Sequence, residues 1–78
     1  MAQLTQEELS QKVHAHVSQQ VSEYLQRNDI SYREAAERWG MKPTALQARL
    51  RGKTNWKLEE VIWIGYQTGV RLIYKSTK

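Results

Sequence analysis

At 78 residues the chain has room for one small domain, which buries on folding only about two-thirds of the surface its extended form exposes. It contains no cysteine, which removes disulfide staples and thiolate metal sites, and no apolar run approaches the roughly 18 residues of a membrane span. Twelve Lys and Arg against eight Asp and Glu leave a net charge of +4 and a pI near 9.6. That balance suits a polyanionic partner if the excess is gathered in one place.

The first predicted helix opens on a capping box, Thr5 with Glu8, flanked by Leu4 and Leu9 at the staple positions. It covers about 6–27, where Asn28 and Asp29 supply a turn. A second box, Ser31 with Glu34, sits between Ile30 and Ala35 and starts a short helix that Gly40 ends. Pro43 suits the first position of a third helix, which stops before Gly52. A fourth covers about 58–68, with Gly69 in the left-handed turn and Val70 packing back. The tail, 70–78, alternates Val70, Leu72 and Tyr74 with Arg71, Ile73 and Lys75, the pattern of a short β-strand. Repeats, linkers and low-complexity stretches are absent from the sequence. The fold class expected is therefore all-α, a single domain over 1–78.

Charge is unevenly distributed along these elements. Residues 1–30 sum to −2, 31–41 to zero, 42–57 to +5, 58–70 to −2 and 71–78 to +3. The block KPTALQARLRGKTNWK holds Lys42, Arg49, Arg51, Lys53 and Lys57 without one acid. An acid-free run of this kind is ordinarily a solvated face. Here it is centred on the third helix, which follows the second after only Gly-Met-Lys, a spacing that forces a tight turn and a steep crossing. Ala36, four residues before Gly40, lets the partner helix approach.

At about 100° per residue from Thr44, Leu46 and Leu50 fall near 200° and 240°, while Gln47, Arg51 and Ala48 fall near 300°, 340° and 40°. One face is core and the other is short, cationic and amide-bearing. A B-DNA major groove admits one helix, Arg or Lys bonds guanine edges, and Gln bonds adenine through two contacts. Lys42, Thr44, Gln47 and Arg51 are the base-edge candidates, with Pro43 and Ala48 giving close apolar approach. Tyr32 and Arg33, at the amide end of the second helix, and Lys53, Thr54, Asn55 and Lys57, in the following loop, are placed for phosphates. Arg49 lies at the edge of the core arc and either reaches a phosphate or lays its stem along the core. Trp56 is expected to cover the core.

Residues 30–70, ISYREAAERWGMKPTALQARLRGKTNWKLEEVIWIGYQTGV, resemble the lambda-repressor and Cro type of helix-turn-helix domain, closest to its phage and actinobacterial members. The resemblance runs over roughly 17–70 and is carried by Ala36, Gly40, a recognition helix with Leu46, the Arg-Gly-Lys turn and the closing Thr-Gly-Val. It implies a bundle of four to five helices that binds a double-stranded DNA operator as a homodimer and regulates transcription in the bacterial cytoplasm or nucleoid. By that likeness Tyr32 touches phosphate, and Lys42 to Thr44, Gln47 and Ala48 read bases. The sequence departs from it at Arg49 and Leu50, where the apolar anchor is displaced by one, at Lys57, where relatives often have Thr or Ser, and at Thr68, where they often have Leu.

Two parts exceed what such a domain needs. Leu9, Val13, Val17, Val21 and Leu25 step by four, drifting about 40° each time, so the two ends of a straight first helix cannot face one small core. Val17, Val21, Tyr24 and Leu25 are expected to be core. Leu9 and Val13, with Trp63, Tyr66, Leu72 and Tyr74, form a candidate dimer interface, the alternative being packing within the chain. His14 and His16 point about 200° apart on a helix and read as surface residues rather than metal ligands. No paired nucleophile and base, glycine-rich phosphate loop or cofactor motif stands out, so no enzyme, cofactor, metal or small-molecule ligand is expected. The rival expectation is a protein-binding module of the antitoxin or antirepressor kind that grips its partner with the first helix and Trp63.

Overall fold

Four helices follow one another in the computed structural model, which describes residues 5–70 together with Leu72: α1 Gln6–Arg27, α2 Tyr32–Trp39, α3 Pro43–Leu50 and α4 Leu58–Thr68. The described residues contain no strand, and the protein is a small all-helical bundle. Most of the tail, including Tyr74 and the strand expected there, lies outside the described residues, as does Leu4. None of the helices is long and apolar enough to cross a membrane.

Local chemistry sets each boundary. Glu8 N–H donates to Thr5 Oγ1 at 3.1 Å and Thr5 N–H to Glu8 Oε1 at 2.9 Å, a full reciprocal box that satisfies two amides at the start of α1. At its other end Asp29 takes φ 55°, and Ile30 N–H returns to the Leu25 carbonyl at 2.9 Å. The second box is only half made. Ser31 Oγ accepts from Glu34 N–H at 3.1 Å, but the Glu34 carboxylate turns outward to Arg38 at 2.7 Å. An i,i+4 cation competes for the same carboxylate, a contest the spacing of Ser and Glu alone does not show.

The α2–α3 connection is as tight as its three residues require. Gly40 adopts φ 70° and Met41 N–H closes on the Ala36 carbonyl at 2.8 Å. Pro43 then opens α3 with Lys42 as the cap residue. Ala35 and Ala36 are fully buried. α3 packs against both α2 and α1, and α2 against α4. The core gathers Val17, Val21 and Leu25 from α1, Trp39 from α2, Leu46 from α3 and Ile64 from α4. Trp56 and Leu72 close it from the loop and the tail. Leu72 is 3% exposed, which corrects its place in a dimer interface: a side chain spent on its own core is not available to a second chain.

Candidate nucleic-acid interface

α3 is held from behind so that its polar face is left outward. Leu46 is fully buried, whereas Lys42, Pro43, Thr44 and Arg51 are exposed and Gln47 and Ala48 are half-buried at the surface. Thr44, Gln47, Ala48 and Arg51 share one face of a helix two turns long, and Lys42 and Pro43 are exposed at its amino end. At the start of α2 the Arg33 guanidinium lies 5.7 Å from the centre of the Tyr32 ring, which ties those two candidates together beside the helix amides. Lys53, Thr54, Asn55 and Lys57 are all exposed in the loop. Lys42, Arg51, Lys53 and Lys57 have no ion-pair partner among the described residues.

Arg49 does not belong to this set. Its side chain is 9% exposed, and its Nε donates to Glu60 Oε1 at 2.7 Å while a terminal nitrogen donates to the Ala45 carbonyl at 3.1 Å. Glu60 uses the same oxygen to accept Lys57 N–H at 2.9 Å, so one carboxylate caps α4 and pins α3 to it. Arg49 is therefore an internal tie rather than a phosphate contact. The same cap compensates for the lysine at the start of α4. At the far end of α4 the Thr68 hydroxyl donates to the Ile64 carbonyl at 2.8 Å and accepts Val70 N–H at 3.1 Å, work that a leucine there could not do.

Two residues of α1 set the loop: Ser18, which sequence reasoning missed, and His14, which it read as a surface residue. The Ser18 hydroxyl donates to the Arg49 carbonyl at 2.7 Å and accepts Trp56 Nε1–H at 2.9 Å. His14 Nδ1 accepts Trp56 N–H at 3.0 Å, so His14 is a structural hydrogen-bond acceptor rather than a bare surface residue. Trp56 itself is buried, as expected. These bonds anchor the segment that carries Lys53, Thr54 and Asn55. No group of His, Asp and Glu that could hold a metal occurs among the described residues.

The surplus apolar residues sort differently. Leu9 is 43% exposed and Val13 half-buried. On α4, Leu58, Ile62, Trp63 and Tyr66 are all exposed, and the Trp63 and Tyr66 rings stack with centroids 6.3 Å apart. Comparison with protein-family models, curated proteins and solved structures yields no match. The functional reading thus rests on the residues and their arrangement.

Proposed function

We propose that this chain is a sequence-specific double-stranded DNA-binding regulator of transcription, repressor-like or Cro-like, which lays α3 in the major groove of an operator and binds paired half-sites as a homodimer. One observation carries the reading: the outward face of α3 and its following loop are free of acid and hold Lys42, Arg51, Lys53 and Lys57 without an ion-pair partner among the described residues, while the one cation of this block with a close acid, Arg49, is turned inward. A merely solvated helix face ordinarily pairs its cations at i,i+3 or i,i+4, as α2 does with Arg38 and Glu34. Phosphate neutralisation supplies affinity in this scheme, and Gln47, Thr44, Lys42 and Arg51 supply base discrimination, with Pro43 and Ala48 in close apolar approach. Tyr32, Arg33, Lys53, Thr54, Asn55 and Lys57 fix the register on the backbone.

The test separates the two kinds of contact. Gln47→Ala costs about 1–3 kcal/mol on the preferred site and relaxes the preference at one base. Lys53→Ala weakens binding to every sequence and lowers the salt slope by about one. Equal losses on preferred and random DNA for Gln47→Ala would remove Gln47 from base reading.

A second reading, a protein-binding module of the antitoxin or antirepressor kind, is favoured by the exposed apolar face of α4. The same face serves the first reading as the meeting surface of two copies, with Trp63 and Tyr66 at its centre. Footprinting distinguishes them: salt-sensitive protection of a palindrome supports the regulator, and tight protein capture without protection supports the module.

A further inference from the structure

A groove of about 620 Å³ runs between α1 and the segment after α3. One wall carries Gln11, His14, Gln19 and Ser22 of α1, and the other carries Arg51, Thr54 and Asn55. α1 contains Glu7, Glu8 and Glu23, yet none of them lines the groove. Glu23 comes nearest, accepting from the Gln19 amide at 3.2 Å on the side that also meets Arg27. Ser18 is spent on Trp56 and the Arg49 carbonyl and serves as the floor.

What remains on the walls is rich in donors. Because His14 Nδ1 accepts the Trp56 amide, the ring proton of neutral His14 belongs on Nε2, which makes that edge a donor. The amides of Gln11 and Asn55, the hydroxyls of Ser22 and Thr54 and the guanidinium of Arg51 complete a surface with no acid among its lining residues, whose other cation, Arg49, is tied to Glu60. From Gln11 to Ser22 the α1 wall is about 16 Å long at ~1.5 Å per residue. That is room for two or three successive phosphates of one DNA strand, which lie farther apart along the strand than their ~3.4 Å rise along the duplex axis. Arg51 belongs both to this wall and to the polar face of α3, so the groove is continuous with the candidate base-reading surface.

We propose that the groove is a second backbone track, in which α1 holds the sugar-phosphate chain of the same duplex that α3 enters. The proposal rests on the DNA-binding reading above. Phosphate contacts are made by Ser, Thr, Asn and Gln and by ring or backbone N–H groups as well as by cations, so a largely neutral wall suffices.

The experiment uses the full chain and a short mixed-sequence DNA duplex, with affinity followed by fluorescence anisotropy over a salt series. Gln11→Glu and Gln19→Glu, at exposed helical positions, place a negative charge on the α1 wall, the second also giving up the amide bond to Glu23, and urea unfolding of each confirms that it remains folded. Gln67→Glu, exposed on α4, makes the same change in net charge elsewhere. Each groove variant is expected to bind about fivefold more weakly at ~0.1 M salt, with Gln67→Glu close to wild type. Unchanged affinity in both groove variants, or an equal loss in all three, would overturn the track while leaving DNA binding by α3 in place. A wild-type chain that binds no duplex even at low salt would remove both proposals together.

Discussion

Arg49 shows how a single residue changes role between sequence and fold. On the helical wheel it stands near 140° from Thr44, at the margin of the core arc, where packing inward and reaching outward look alike. The choice is made by Glu60, eleven residues away in another helix, whose carboxylate meets Arg49 Nε at 2.7 Å. Removing one member of a buried pair leaves the other charge uncompensated, so Arg49→Ala is expected to lower stability by about 3 kcal/mol in urea unfolding. The double variant Arg49→Met with Glu60→Gln removes both charges and should recover much of that loss. An unchanged unfolding midpoint for Arg49→Ala, with weakened DNA binding, would return Arg49 to the phosphate set. Ser18 escaped notice, and His14 reads from the sequence as a plain surface residue, for a related reason. Their partners, Arg49 and Trp56, lie 31 to 42 residues away, and no local pattern announces a contact of that span.

The helices themselves were legible because their ends are decided locally. Thr5, Ser31, Pro43, Gly40 and Gly69 act within one turn of their own positions, and the helix boundaries follow them. Glu34 and Leu72 were misread because a neighbouring cation in one case and the core in the other made a competing offer. Glycine gives a direct test of this local control. At Gly40 a Cβ would meet nothing within 4 Å, so the only objection to a side chain is φ 70°. Gly40→Ala should therefore cost about 1 kcal/mol through the backbone alone. Gly65 lies inside α4, and a Cβ there would sit 3.5 Å from the Val70 carbonyl oxygen, an ordinary contact. Gly65→Ala should raise stability by about 0.5–1 kcal/mol, because alanine is the better helix residue and leaves less freedom in the unfolded chain. Opposite signs in the two urea midpoints are expected, and a matching loss at Gly65 would mean that α4 and Val70 approach more closely than this geometry.

At the scale of the molecule, charge and apolar surface separate. The excess of +4 resolves into a cationic face built on α3 and its loop, with Arg49 withdrawn into the interior. The apolar excess gathers on α4, where Leu58, Ile62, Trp63 and Tyr66 remain open. The proposed function asks that two copies bury that patch against each other and bring two α3 helices to one duplex. Dimers of this type read half-sites about one helical turn, ~34 Å, apart. Helical spacing and charge mark out the candidate base-reading and phosphate residues, and all of them but Arg49 lie exposed or half-buried. The groove beside α1 was not foreseen, since it depends on how α1 lies against a loop more than 30 residues later.

Selection of bound sites from a random pool of DNA decides whether α3 reads sequence. Enrichment of a short two-fold symmetric sequence with half-sites about one turn apart is expected, lost or relaxed at one position in Gln47→Ala. A folded wild-type chain that enriches no sequence over the starting pool at low salt would contradict it.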